Sequence, residues 1–255
     1  MCLILLAWRV HPRYRLVLAA NRDEFHARRS AAAEYWRDRP DLLGGRDLES
    51  MGTWLGVTRG GRIAAVTNVR NGNATAPTQA PSRGNLARDF LSSDVPPARY
   101  AEAVATQATA YRGFNLLIGD RDDLWWMSNC GDGARRLEPG IYGVANDLLD
   151  TPWPKVTVGK RSLARTLGLG PSLGSLLALL DDTRVFADAE LPDTGVGIER
   201  ERMLAPLRIV SPQYGTRCSS AVLIDAKGDA QFAERSFDPE GRERASVYYA
   251  FPLAA

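Results

Sequence analysis

Short apolar runs separated by polar breaks follow one another along most of the chain. The first run, residues 2–10, and the second, residues 14–21, flank a break at 11–13 and predict a β-hairpin. The same pattern predicts further strands at 53–58, 62–68, 114–119, 124–129, 140–145, 220–225, 231–236 and 245–251. Between the strands, a loop containing Gly44-Gly45 and another at 71–82 are expected.

Apolar residues recur at helical spacing in four other segments, 85–91, 98–111, 153–167 and 172–180. Hairpins dominate, and no regular strand-helix-strand repeat is present. This order favours an α+β fold with antiparallel sheets over a doubly wound parallel fold. We expect one domain over residues 1–255, with two packed sheets and helices outside them.

Composition narrows the possible functions. The 255 residues are 45% hydrophobic and 24% charged, with a net charge of +2, which indicates neither a nucleic-acid partner nor an acidic membrane surface. The apolar N-terminal run is too short for a signal peptide, and no run reaches the length of a transmembrane helix. Three cysteines and two histidines argue against a disulfide framework or a metal site, so a cytoplasmic protein with reduced thiols is predicted.

Cys2 is the strongest candidate for chemistry, because removal of Met1 would leave one residue with both a thiol and a free α-amine. An α-amine has an ordinary pKa near ~8 and can act as a base at working pH. An ionised thiol is a good nucleophile. The alternative is a small buried residue at the start of a strand, which the position of Cys2 alone favours.

Four polar residues, Asn21-Arg22-Asp23-Glu24, end the second apolar run. Strand alternation sends Asn21 and Asp23 to one face of the sheet and Arg22 and Glu24 to the other. Hairpin pairing would bring one of these pairs beside Cys2. There a carboxylate could hold the α-ammonium, and an arginine could lower the pKa of the thiol. A solvated strand end with local ion pairs is the alternative.

Two asparagines and an arginine also lie at the ends of apolar strands. Asn68 and Asn146 follow strand-forming segments, where a side-chain amide could donate to a developing oxyanion. Asparagine is equally common in plain turns. Arg217 enters the late strands, where its guanidinium could face an anionic group, although an ordinary loop-to-strand junction accounts for it too.

Short motifs in order along nearly the whole chain resemble the NRDE family, also called the transport and Golgi organisation protein 2 family. The matching motifs are Met1-Cys2, 18–25 (LAANRDEF), 52–57 (GTWLGV), 67–68 (TN), 82–84 (SRG), 113–116 (GFNL), 142–146 (YGVAN), 151–155 (TPWPK) and 214–217 (YGTR). Two positions depart from the family pattern. Arg29 stands where Pro is usual, and Met51 stands where Gly is usual.

The family is similar to the N-terminal-nucleophile hydrolases that use cysteine, such as penicillin V acylase and bile salt hydrolase. This resemblance implies a four-layer αββα sandwich. It also implies that Cys2 is the nucleophile, Asn146 the oxyanion asparagine, Asn68 a second pocket asparagine and Arg217 a late pocket arginine.

The segment 21–24 falls where those hydrolases place an arginine and a carboxylate. They separate the two by two residues, whereas Arg22 and Asp23 are adjacent here. Asp23 and Glu24 therefore both remain candidates for the carboxylate that serves the site. Asn21 and Glu24 are expected to contact a ligand.

The leading hypothesis is a hydrolase of linear non-peptide amides, or thioesters, that requires no cofactor. The alternative is a non-catalytic protein on the same scaffold that carries acyl-coenzyme A, lipid or haem, since members of the family have been connected with haem mobilisation and acyl-coenzyme A handling. A purely structural interaction module fits least, because the polar residues converge on one predicted pocket. Loss of Met1 is required by the first hypothesis only.

Overall fold

The computed structural model describes residues 2–73 and 79–254, and this part of the chain contains thirteen strands and five α-helices. The strands are β1 (Cys2–Trp8), β2 (Tyr14–Phe25), β3 (Ser30–Trp36), β4 (Arg39–Asp47), β5 (Leu55–Thr58), β6 (Ile63–Asn68), β7 (Phe114–Gly119), β8 (Leu124–Ser128), β9 (Gly133–Arg136), β10 (Gly140–Val144), β11 (Tyr214–Asp225), β12 (Asp229–Phe237) and β13 (Glu243–Pro252). The helices are α1 (Gly84–Leu91), α2 (Pro97–Thr106), α3 (Pro154–Leu169), α4 (Leu173–Leu179) and α5 (Ile198–Leu204).

The strands form two sheets in which every described pair is antiparallel. The first sheet has the order β10-β1-β2-β11-β12-β13, so β1 and β2 lie among its inner strands. In the second sheet, β3 to β9 follow one another in sequence order. Neighbours in the chain are thus neighbours in this sheet, as is usual for antiparallel strands. The predicted α+β class is confirmed.

Side-chain alternation along β1 separates two cores. Leu3 belongs to the same buried cluster as Leu163 of α3 and Leu176 of α4. Ile4, the next residue, belongs to the cluster that contains Leu43 of the second sheet. Because successive side chains of a strand point to opposite faces, the first sheet has helices on one face and the second sheet on the other.

A third cluster covers the outer face of the second sheet, where Phe90 of α1 and Val104 of α2 pack with Leu116 of β7. The layers are therefore helices, sheet, sheet and helices, which confirms the four-layer αββα sandwich. The longest described helix, α3, has sixteen residues, and no helix in the described ranges is both long and apolar enough to span a membrane.

The glycine-containing loop predicted around residue 44 is wrong, because Gly44 and Gly45 lie inside β4. A Cβ at Gly44 would lie 2.6 Å from the carbonyl oxygen of Leu55, and one at Gly45 would overlap the Trp54 ring. These glycines permit close packing and do not mark a turn. Four elements, β3, β4, β9 and α5, were not predicted, and part of the loop predicted at 71–82 lies outside the described residues.

Candidate active site

Cys2 begins β1 at one end of the space between the two sheets. It continues the row of Ile4, which faces the second sheet, and its Cα pairs with that of Arg22 on β2. Cys2 and Arg22 line a cavity of about 270 Å³, whose wall also includes Asp23, Glu24 and other polar residues. We call it the nucleophile cavity. The hairpin thus brings Cys2 and the predicted polar segment together. Met1 lies outside the described residues.

Arg22 carries a positive charge into the buried space beside Cys2. Its guanidinium lies 4.2 Å from the centre of the Trp54 ring, and Nη2 lies 3.4 Å from Oδ2 of Asp47. Arg28 binds the same carboxylate, with Nε 2.5 Å from Oδ2. Burial acts to raise the pKa of Asp47, but its hydrogen bonds with Arg28 and Ser50 keep that pKa below its ordinary value. Asp47 therefore stays ionised and holds both arginines.

Asp23 is buried on the helix side of β2. The hydroxyl of Thr216 donates to its Oδ1 at 2.6 Å, and the phenol of Tyr214 donates to its backbone carbonyl at 3.0 Å. Burial raises the pKa of Asp23, and the nearby charge of Lys155 opposes that rise. Burial also lowers the pKa of Lys155 to about 8. Asp23 and Lys155 thus form a buried, electrostatically coupled pair next to Cys2.

The thiol of Cys2 responds to the same surroundings. Burial raises its pKa above the ordinary value, and the negative charge of Asp23 acts in the same direction. A hydrogen bond from the backbone N–H of Asp23 and the charge of Arg22 oppose this rise. The thiol is therefore mainly protonated at neutral pH, and a base must remove its proton during any attack.

Asn21 and Glu24 differ in their position relative to the nucleophile cavity. The Asn21 amide donates to the backbone carbonyls of Leu180 at 3.2 Å and Leu207 at 2.8 Å, and accepts from Ser219 at 2.6 Å. Asn21 does not line the nucleophile cavity. Its hydrogen bonds instead join the first sheet to the chain segments at Leu180 and Leu207. Glu24 does line the cavity and lies 4.0 Å from Arg28.

The two predicted asparagines contact each other. Asn146 is fully buried, and its Nδ2 donates to the backbone carbonyl of Asn68 at 3.1 Å. Asn68 ends β6 and lines the nucleophile cavity, whereas Asn146 does not. The structure therefore places Asn68 at the cavity wall and Asn146 behind it as its support.

Arg217 is not brought to Cys2. Its Nη1 donates to the carbonyls of Phe25, His26 and Arg28 at 2.9, 3.1 and 3.0 Å. The register between β11 and β2 shifts between Thr216 and Cys218, so Arg217 is the extra residue of a bulge. Its side chain supports the turn after β2 and lines a separate cavity of about 280 Å³. Because of this bulge, Arg217 does not line the nucleophile cavity, contrary to the expectation that it completes the Cys2 pocket.

Three further residues, Lys155, Arg83 and Trp54, shape the site, although their positions in the sequence predicted no role for them. Lys155 lies in the 151–155 motif and Arg83 in the 82–84 motif, so both belong to the resemblance, but nothing local indicated their function. Trp54, in the 52–57 motif, provides the ring against which Arg22 stacks. Arg83 precedes α1, donates to the carbonyl of Gly113 at 3.0 Å and lines the nucleophile cavity. Only the tertiary fold brings these distant motifs together.

Two solved structures share this architecture. An N-acylethanolamine-hydrolysing acid amidase ortholog from Caenorhabditis elegans superposes with a TM-score of 0.50 at 10% identity, covering 87% of this chain and 92% of that one. The conjugated bile acid hydrolase from Clostridium perfringens gives a TM-score of 0.51 at 8% identity, covering 99% and 92%. Both are N-terminal-nucleophile hydrolases, and the chain shares their fold.

Several proteins are more similar to this chain in sequence than these two structures are. The Transport and Golgi organization protein 2 homologs of Bos taurus and Homo sapiens are each 35% identical, with 92% of this chain and 93% of each relative covered. The Drosophila melanogaster protein of that name is 28% identical over 94% of this chain and 95% of its own length. A model of the family described as Transport and Golgi organisation 2 matches residues 1–239. The chain belongs to the Transport and Golgi organisation 2 family.

Proposed function

We propose that the protein is a cysteine N-terminal-nucleophile hydrolase that cleaves linear amides or thioesters once Met1 is removed. The observation that carries the proposal is the position of Cys2, at the wall of a cavity and paired with Arg22 across the hairpin. The N-terminal-nucleophile fold of the chain and the names of its two structural neighbours, an acid amidase and a bile acid hydrolase, support it at the level of the fold.

The chemistry uses one residue as both nucleophile and base. The α-amine of Cys2 accepts the thiol proton as the sulfur attacks the carbonyl carbon. The resulting tetrahedral adduct collapses when the ammonium gives that proton to the leaving amine, and an acyl thioester remains on Cys2. The same amine then deprotonates a water molecule, which hydrolyses the thioester to the acid and regenerates the thiol. The raised pKa of the thiol makes this base necessary.

Asn68 and Asn146 act as a pair on the developing oxyanion. Asn68 offers its amide from the cavity wall, and the hydrogen bond from Asn146 to its carbonyl fixes the backbone there. A donor that is already held in place costs no reorganisation when negative charge appears on the carbonyl oxygen. The predicted oxyanion role is thus shared, with Asn146 as the positioning residue.

Cys2→Ala and Cys2→Ser test the proposal with a panel of N-acyl amides and acyl thioesters. Both variants are expected to lose turnover, and Cys218→Ala, which removes a thiol outside the nucleophile cavity, is expected to retain it. Intact mass of protein from its own host is expected to lack Met1. A mature mass that includes Met1, or unchanged turnover in the Cys2 variants, would refute the hydrolase.

A carrier of acyl-coenzyme A or haem on the same scaffold is the second candidate. The raised pKa of the Cys2 thiol favours it, because a carrier needs no activated nucleophile. Tight binding of acyl-coenzyme A or haem by the wild-type protein, with no turnover of any panel member, would support the carrier.

A further inference from the structure

A larger cavity adjoins the nucleophile cavity. It has a volume of about 890 Å³, against about 270 Å³ for the nucleophile cavity, and the two share Asn68, Arg83 and Arg112 in their walls. The wall of the larger cavity also carries the amides of Asn71 and Asn129 and, away from the shared residues, the carboxylates of Asp147 and Asp193. The shared residues therefore lie where the two cavities meet.

Most charges around the nucleophile cavity are matched. Asp47 is paired with Arg22 and Arg28, and Glu24 lies 4.0 Å from Arg28. Asp23 faces the charge of Lys155 on the helix side. These contacts already neutralise the carboxylates of the cavity wall.

Arg83 and Arg112 differ from the other cavity arginines, because neither forms an ion pair with any residue in the described ranges. The one hydrogen bond that the Arg83 guanidinium makes there goes to a neutral acceptor, the carbonyl of Gly113. Burial lowers the pKa of Arg83, and the positive charge of Arg112 acts in the same direction. Two cations that repel each other where the cavities meet favour the binding of an anion between them.

The packing around Arg83 holds it in place. Arg83 directly precedes α1, and the loop at Gly52 packs against the first turn of that helix. A Cβ at Gly52 would lie 2.5 Å from the backbone carbon of Gly84, and Thr53 donates its N–H to the Gly84 carbonyl at 3.1 Å. The hydrogen bond to the Gly113 carbonyl also restrains the Arg83 guanidinium itself, which therefore loses less conformational freedom when it binds a carboxylate or phosphate.

We propose that Arg83 and Arg112 form an anion subsite between the two cavities, which selects substrates with a carboxylate or phosphate group a few bonds from the cleaved carbonyl. This inference rests on the proposed function for the identity of the cleaved bond, but not for binding. The charged group lies between the two guanidinium groups, the carbonyl lies at Cys2, and the remainder of the substrate extends into the larger cavity.

Binding to the Cys2→Ala protein tests the subsite without any dependence on turnover. The probes are N-acetyl-β-alanine, which carries a carboxylate, N-acetyl-O-phosphoethanolamine, which carries a phosphate, and neutral N-acetyl-β-alaninamide, each titrated by calorimetry at low salt. Both anions are expected to bind at least about tenfold more tightly than the neutral amide. The ratio between the two anions identifies which group the subsite prefers.

Arg83→Gln and Arg112→Gln, each added to Cys2→Ala, are expected to weaken binding of the anions about tenfold and to leave the neutral probe unchanged. Arg165→Gln is the matched control for Arg112→Gln, because both arginines are exposed and Arg165 lines neither cavity. Arg112 is exposed, so its variant keeps the test valid even where Arg83→Gln disturbs folding. Equal affinity for the charged and neutral probes would overturn the subsite, as would an equal loss for all three in the Arg112 variant.

The two proposals fail in different ways. Selective anion binding with no hydrolysis by the wild-type protein refutes the hydrolase and leaves the subsite intact. Hydrolysis of charged and neutral amides at equal kcat/KM supports the hydrolase and refutes the subsite.

Discussion

Lys155 provides a direct test of the electrostatics beneath Cys2. Its side chain is 2% exposed, in the first turn of α3, and its Nζ has no hydrogen-bond partner among the residues that the structure describes. Burial lowers its pKa to about 8 from an ordinary value of 10.5, and the charge of Asp23 only partly offsets the effect. Lys155→Met keeps a long apolar side chain in the same space and removes the ammonium.

The pKa difference sets the size of the effect. A fall from 10.5 to about 8 corresponds to about 3 kcal/mol, at about 1.4 kcal/mol per pH unit. The unfolded chain binds the Lys155 proton more strongly than the folded chain, so this cost is fully present below pH 8. It is relieved as the pH rises from about 8 towards 10.5. Asp23 contributes in the same direction to the stability difference between wild type and Lys155→Met. Burial already raises the pKa of Asp23, and removal of the ammonium would raise it further.

Urea denaturation of wild type and Lys155→Met at several values between pH 7 and 10 measures the effect. The unfolding free energy of wild type minus that of the variant is expected to increase by about 2 to 3 kcal/mol across this range. Lys160→Met is the control, because Lys160 lies on the same helix but is partly exposed and paired with Asp150 at 2.6 Å. A difference that changes by less than about 1 kcal/mol for Lys155→Met would refute the proposed burial of a charged amine at this position.

Two further substitutions test the buried polar contacts near the site. Arg70→Met leaves Glu201 buried without its ion-pair partner, which lies at 2.7 Å in wild type. We expect urea denaturation to show a loss of about 3 to 5 kcal/mol of unfolding free energy. A double variant that also carries Glu201→Met is expected to recover part of this loss. Thr216→Val removes the 2.6 Å hydrogen bond to Asp23, and we expect a loss of about 1 to 3 kcal/mol at pH 7 by thermal denaturation, with Thr216→Ser retaining most of the stability.

The strand pattern predicted the fold well where alternation and turns decide it. The hairpin of β1 and β2, and the two faces of the 21–24 segment, follow from a side-chain period of two and from the polar break between the strands. The number of apolar strands also predicted two packed sheets with helices outside them, and the resemblance specified this arrangement as a four-layer αββα sandwich. Gly44 and Gly45 misled the prediction, since the partner that requires a glycine there is a different strand and a tryptophan ring.

The sequence predicted two parts of the site, which are the β1–β2 hairpin and the strand-end position of Asn68 at the cavity wall. Arg22, Asp23 and Cys2 come together through local pairing, which the sequence indicates directly. Arg217 was misplaced because a single extra residue in β11 moves its side chain out of register, and no sequence signal marks that bulge. Arg83 lies at the start of a helix far along the chain, so its approach to Cys2 depends on packing between layers.

For the proposed hydrolase, the geometry of β2 favours Asp23 over Glu24 as the carboxylate that serves the α-amine. Glu24 is partly exposed, accepts a hydrogen bond from the N–H of Phe25 at 2.9 Å and lies near Arg28, so its charge serves the rim of the cavity. Asp23 is buried, is bound by Thr216 and donates its own N–H to the Cys2 sulfur. A carboxylate that orients an α-ammonium must be close, fixed and shielded from water, and these conditions favour Asp23. Adjacent placement of Arg22 and Asp23 then has a physical reason, because strand alternation puts the cation on the cavity side of β2 and the carboxylate on the helix side.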